Sequence, residues 1–226
     1  MQLLTDYQQF YDGIFDDRPP VFHRMAFTRG GLDRRAQFRL FASLGLLAPP
    51  HGTVTELQER FRRSGPPLEW PEEVARDVWC VVYTDELAHR GEGKVLVPLG
   101  EAVQRYPGCF ASLYVAPASE PVAFRHVRFG RLAYWLRQSG ARAGWQSNRA
   151  DEEQVLSQRR VAGTNPVPRV LWAIDLIPSP NGLLAVDFNT APDLTTLGET
   201  GALTNAEAQA ELELAAAEDP RQLAQF

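Results

Sequence analysis

Two stretches of this chain carry residue types that could do chemistry together. In WAIDLIPSPNGLLAVDFN, residues 172–189, two apolar runs flank Ser179-Pro180-Asn181-Gly182. Proline at the first central position, asparagine next and glycine last suit a type I turn followed by a left-handed glycine, the three-residue hairpin loop with a bulge. That loop sets Ser179 opposite Leu183 and, counting outward, Asp175 opposite Asp187. Directly opposed residues of an antiparallel pair share a face, and Asn189 joins them because the side-chain period is two. Trp172, Ile174, Leu176, Leu184, Val186 and Phe188 form the other, core face, and small Ala173 and Ala185 leave room around the acids. Two carboxylates across from each other repel. A solvated outer face is one explanation, but Leu171, Ile177 and Leu183 share that face. A divalent cation removes the conflict, and hard oxygen donors suit Mg²⁺, which takes one or two carboxylates plus substrate phosphates.

The second stretch is HRGEGK, residues 89–94. Lys94 is the only lysine among 23 basic side chains. Gly91 and Gly93 let backbone N–H groups turn towards an anion. His89, Arg90 and Lys94 set positive charge around them, a chemistry suited to covering nucleotide phosphates. The loop lies between two strand-like runs and lacks GxxxxGK[ST], so it is not a strand-to-helix P-loop. A plain charged turn is the alternative. A lone lysine kept among arginines points to a need for a compact ammonium.

The elements that position these residues are legible in outline. Asp33 is a candidate N-cap for a helix carrying Ala36, Leu40, Phe41 and Leu44, stopped by Gly45 and Pro49-Pro50. Thr53-Val-Thr-Glu56 is a capping box opening a second helix. SGPPLEWPEE, 64–73, reads as a linker, which divides the chain into a helical lobe and linker, 1–70, and a nucleotide- and metal-binding lobe, 71–226. Strands are expected over 78–84, 94–98, 109–115 and 122–130, a short helix over 99–106, and strands within 131–148. ADEEQVLSQRR, 150–160, is expected to be helical. Strands at 169–177 and 182–189 and a helix at 205–219 complete the chain.

The bulk composition bounds the partners. The chain has 226 residues, 44% hydrophobic and 23% charged, enough for a substantial core. A net charge of −5 argues against a dedicated nucleic-acid binder. No apolar run approaches a membrane span. MQLLTDYQQFYDG has neither a basic n-region nor an apolar h-region, so a cytoplasmic location is expected. Cys80 and Cys109 lie in strand-like runs and read as unpaired thiols. His23, His51 and His126 lack metal-ligand spacing and read as structural or exposed.

AID(175)LIPSPNGLLAVD(187)FN(189)TAPDL resembles the metal site of the ATP-grasp superfamily, an acid on one strand followed about a dozen residues later by acid-x-Asn. FRHVRFGRLAYWLRQSGARAGWQSN, 124–148, is similar to the Arg-led strand, hairpin and Trp-x-x-Asn run of RimK-like and glutathione-synthetase-like members. LDRRAQFRLFASLGLLAPPHGTV resembles the helix-then-Pro entry to their nucleotide lobe. The resemblance implies an α+β fold of antiparallel sheets packed with helices in two lobes, with a nucleotide cleft between residues 78–115 and 170–190. It implies ATP and Mg²⁺ as cofactors, and a carboxylate–amine ligase, of peptide type, acting through an acyl phosphate on small-molecule or peptide substrates. In that frame Asp175, Asp187 and Asn189 bind the metal, and Arg125 or Arg128 stabilises the phosphorylated carboxylate. His89, Arg90, Gly91, Gly93 and Lys94 clamp the phosphates, with Glu120 and Asn148 also at the nucleotide. The family usually carries a lysine on the strand that here has Tyr83 and Thr84. The alternatives are a nucleotide-binding module of this fold that does not ligate, and an unrelated α+β binding protein.

Overall fold

The computed structural model describes residues 32–64, 78–87, 93–116, 121–140, 152–162, 166–167, 170–189 and 192–218. Helix α1, Arg34–Ser43, starts where Asp33 accepts from the Ala36 amide at 2.7 Å. Strand β1, His51–Thr53, runs into helix α2, Val54–Ser64, through the expected capping box. The Thr53 amide donates to Glu56 at 2.7 Å, and the Glu56 amide donates to the Thr53 hydroxyl at 3.2 Å. Strand β2, Trp79–Tyr83, strand β3, Lys94–Pro98, helix α3, Leu99–Arg105, and strand β4, Phe110–Leu113, follow. These strands form a four-stranded sheet in the order β1-β4-β2-β3, all pairs antiparallel.

The second sheet is five-stranded and antiparallel, in the order β7-β6-β5-β8-β9. Its strands are β5, Val122–Phe129, β6, Leu132–Ser139, β7, Glu152–Arg160, β8, Leu171–Ser179, and β9, Gly182–Asn189. Helices α4, Thr195–Glu199, and α5, Asn205–Glu218, close the chain. The fold is α+β, two antiparallel sheets packed with helices.

Three apolar clusters hold the layers. Val54 and Leu57 of α2 and Leu99 and Ala102 of α3 cover one face of the small sheet at Cys80, Val82, Ala111 and Leu113. Leu197 of α4 and Ala208, Leu212 and Ala215 of α5 cover one face of the large sheet at Val127, Phe129, Tyr134, Leu171 and Ala173. Between the sheets lies a third cluster. Phe38 and Phe41 of α1 meet Tyr83 and Phe110 of the small sheet and Trp172, Ile174, Leu176, Ala185 and Phe188 of the large one. The Ala185 amide also donates to the Leu47 carbonyl at 2.8 Å, tying the segment after α1 to β9. Thus α1 and α2 pack against strands and helices of residues 78–113.

Helix α5 is fastened by a buried acid. Glu211, 1% exposed, accepts from the Arg131 amide at 2.7 Å and from Arg160 at 2.8 Å. Its carboxylate fits over the β5–β6 turn because residue 130 is glycine. A Cβ there would lie 2.5 Å from the carboxylate, and its φ of +54° disfavours a side chain in any case.

Two expectations are corrected. Residues 152–160 form strand β7, not a helix. Glu, Gln, Leu and Arg favour helix locally, but pairing with β6 along the whole strand overrides that preference. The β8–β9 loop is also one residue shorter than expected, since Ser179 pairs with Gly182. Ala185 therefore lies opposite Leu176 in the core between the sheets, and not beside the aspartates. A bulge between Asp175 and Leu176, with Val186 as the extra residue, then restores Asp175 opposite Asp187.

His126 of β5 is packed against Trp135, with ring centroids 4.8 Å apart, and Trp172, at 5.7 Å. Burial first, then the charges of Arg159 and Arg128, hold its pKa down to about 4 from 6.5. The neutral ring thus stabilises the fold fully above pH 6.5, and that contribution is lost as pH falls from there through about 4. Chemical denaturation between these limits should show stability falling by up to ~3 kcal/mol. His126→Phe should flatten the profile, and an unchanged slope would remove His126 as its source.

Candidate functional site

Strand alternation places the acids first. Asp175 of β8 and Asp187 of β9 are direct cross-strand partners, a register that the bulge at Val186 restores. Asn189 pairs with Ala173, and its amide donates to Asp175 Oδ2 at 3.2 Å. The cross-strand neighbour of Asp175 on its other side is Arg125 of β5. Arg125 forms a two-pronged pair with it, Nε to Oδ1 at 2.7 Å and Nη2 to Oδ2 at 3.1 Å. Burial alone would lower the Arg125 pKa, but the Asp175 charge outweighs it and raises it, so the guanidinium stays protonated.

Arg128 is not part of this arrangement. Three residues along β5, it points to the opposite face, pairs across with Trp172, and donates to the Gly130 carbonyl at 2.6 Å. Of the two arginines left open by the sequence, Arg125 is the one beside the acids.

Asp187 reaches across to the small-sheet side. Its Oδ1 accepts from Arg34 of α1, and its Oδ2 lies 3.5 Å from Lys94 Nζ at the start of β3. Burial pushes the Asp187 carboxyl up, and the charges of Lys94 and Arg34 outweigh this, drawing it down to about 2. The stability this gives is present above 3.8 and lost as pH falls through about 2. Tyr83 underlies both cations: its ring centroid is 5.2 Å from the Arg34 guanidinium carbon and 5.8 Å from Lys94 Nζ. Tyr83 and Lys94 are cross-strand partners. The lone lysine therefore shares a face of the small sheet with Tyr83.

The sequence reading missed Arg34 and Glu153. Arg34 is 2% exposed and lies with Gln37, Phe38 and Phe41 on the buried stripe of α1. Gln37 Oε1 accepts from Arg34 at 3.0 Å and from the Phe188 amide at 3.1 Å, so α1 is hydrogen-bonded to β9 beside the acids. The available signal was a polar pair at i and i+3 on an otherwise apolar stripe. Glu153 of β7 lies 3.7 Å from Arg125 and accepts from Gln138 at 2.7 Å. The expectation of a helix there concealed it. Gly93 is described, immediately before β3, with φ of +61°. His89, Arg90, Gly91, Glu120 and Asn148 lie outside the described residues.

Donor chemistry fits a hard cation in part. Asp175, Asp187 and Asn189 offer oxygen donors only. No group of three or more His, Cys, Asp or Glu residues suited to a metal occurs among the described residues. The Lys94 contact, at 3.5 Å, is the loosest in the group, so Asp187 Oδ2 is the oxygen most readily given to a cation.

No family model and no curated protein matches the sequence. Solved structures do. The chain is similar to ATP-grasp ligases. One is a RiPP-associated ATP-grasp ligase from Chryseobacterium gregarium, in complex with ADP and a leader and core peptide. The identity is 14% and the TM-score 0.46, over 91% of this chain and 63% of that one. The D-alanine–D-alanine ligase from Bacillus anthracis matches at 12% identity and TM-score 0.43, over 83% of this chain and 69% of that one. The macrocyclase MdnC from Microcystis aeruginosa MRC, bound with its precursor peptide MdnA, matches at 15% identity and TM-score 0.43. That match covers 90% of this chain and 65% of that one. The chain thus spans 63% of the length of the first of these structures.

Removing the Asp187 carboxylate would leave Arg34 buried without its counter-charge. Asp187→Ala should therefore cost about 3–5 kcal/mol in urea unfolding. Adding Arg34→Met should recover a large part of the loss, because the stranded charge goes with it. Wild-type stability in the single variant would show that the pair does not hold α1 to β9.

Proposed function

We propose that this chain is an ATP- and Mg²⁺-dependent carboxylate–amine ligase acting through an acyl phosphate. The observation that carries the reading is the meeting of Arg34 and Lys94, from the small-sheet side, with Asp187, Asp175 and Asn189 of the large sheet. Three cations, Arg34, Lys94 and Arg125, face three carboxylates, Asp175, Asp187 and Glu153, so cationic and anionic side chains are matched one to one. Arg34 Nε is buried without a hydrogen-bond partner, one donor of the group still unspent.

Asp175, Asp187 and Asn189 would hold Mg²⁺, whose charge would neutralise phosphoryl oxygens. Lys94, with Gly93 and the loop residues His89, Arg90 and Gly91, would hold the phosphates, and Glu120 and Asn148 would complete the nucleotide contacts. Arg125, fixed by two hydrogen bonds, is preorganised to stabilise charge on the substrate carboxylate as it is phosphorylated. An amine would then displace phosphate to give an amide. Carboxylate and amine borne on peptides are the substrates proposed.

One observation favours a second reading, a nucleotide-binding module that does not ligate. All four oxygens of Asp175 and Asp187 already have an Arg, Lys or Asn partner. A metal must displace or share these contacts.

Calorimetry with ATP, with and without Mg²⁺, tests both readings, since each requires binding that Mg²⁺ strengthens. No heat at millimolar nucleotide would sink both. ADP release in the presence of carboxylate- and amine-bearing peptides is expected for the ligase alone. Lys94→Arg keeps the charge but not the compact ammonium, and should weaken nucleotide binding about tenfold. Unchanged affinity would remove Lys94 from the site.

A further inference from the structure

Strand β7 lies at the edge of the large sheet, and no described strand pairs with its outer side. Its sequence, EEQVLSQRR, is polar in charge along its length, with Glu152 and Glu153 at one end and Arg159 and Arg160 at the other. Charges on an edge ordinarily guard it against pairing. Segregated charges act differently. A parallel neighbour of the same sequence sets like against like, whereas an antiparallel one sets each acidic end against a basic end.

The faces agree with this only because of a bulge. Glu152 and Arg159 are seven residues apart and would point to opposite sides of a regular strand. The register of β7 on β6 shifts between Trp135 and Leu136, making Leu156 the extra residue. Glu152 then pairs with Ser139 and Arg159 with Ala133, six residues apart on β6 and so on one face. The other two charges are committed within the chain, Glu153 to Gln138 and Arg125, and Arg160 to Glu211. Glu152 and Arg159 form no ion pair with any described residue. Leu156, between them, is 48% exposed.

We propose that β7 is a self-association edge, pairing antiparallel with β7 of a second copy about a twofold axis near Val155. The two large sheets would become one continuous sheet. Glu152 of each copy would face the partner's Arg159, and the two exposed leucines would meet beside the axis. The contact is isologous, so each charge pair occurs twice. Its occupant is a second copy because the strand is complementary to itself. Glu153 lies in the same strand and touches Arg125, so the seam would stiffen a strand that contacts the candidate site. The inference stands on β7 alone and does not depend on nucleotide binding.

Sedimentation velocity on the full chain, over a concentration series, is the test. Wild type should move from the 25.3 kDa chain mass towards twice that value, more weakly at high salt. Glu152→Arg and Arg159→Glu each place like charges together twice, and each should weaken association about tenfold or more. Mixing the two variants restores both opposite-charge pairs and should restore the dimer. That rescue also shows that neither variant had merely misfolded. A monomer at every concentration, or a dimer indifferent to both reversals, would overturn the proposal.

Discussion

The structure depends on how one carboxylate is neutralised. Asp187 leaves the large sheet and is met by Arg34 and Lys94, which approach from α1 and β3. Apolar burial between the sheets is non-directional and tolerates sliding. A buried charge does not, because a small displacement leaves an ion without its counter-ion. The cluster of Phe38, Tyr83, Trp172 and Phe188 supplies the adhesion between the sheets, and the Asp187 pairs fix its alignment. Gln37 adds a further constraint, since its carbonyl oxygen binds the Phe188 amide directly.

That alignment rests on the parity of a hairpin. With a two-residue loop and no bulge, Asp187 would fall on the face away from Asp175, and the acids would separate. The extra residue, Val186, reverses the parity after the tip, so the outer half of β9 packs Ala185 into the core while the inner half presents Asp187. The same device recurs in β7, where Leu156 changes the face on which later residues stand. In both strand pairs a bulge decides which charges share a face.

The fold was legible where periodicity and caps agree. Asp33 and the Thr53–Glu56 box announced their helices, and the β8–β9 run announced its strands and the opposition of its aspartates. What escaped was set by tertiary contact. EEQVLSQRR lacks alternation and favours helix locally, and only β6 makes it a strand. Arg34 looks like a solvated helix residue until its stripe, shared with Gln37, Phe38 and Phe41, is seen to be buried. The pairing Asp175–Asp187 was read correctly from a loop length that was wrong. The expected loop bulge lies instead next to the aspartates, so one unpaired residue was counted in either case. The loop from His89 to Gly91, expected from the sequence to hold phosphates, lies outside the described residues.

The contacts of the candidate site form a single chain of fixed charges. Glu153 touches Arg125, Arg125 grips Asp175 with two hydrogen bonds, and Asp175 orients Asn189 and faces Asp187 across the strands. Asp187 then passes the chain to Lys94 and Arg34. Each link is an opposite-charge or hydrogen-bonded pair, except the step between the two aspartates, which is repulsive. That step is tolerable only because cations stand at both ends. It is also where an added cation would gain most, since it alone would meet two negative groups at once. On the proposed reading, that unfavourable contact between two hard-oxygen donors is where Mg²⁺ would bind. Arriving with a polyanion, the metal would displace or share the Arg34 and Lys94 contacts of Asp187, and the anion would give those side chains a new partner.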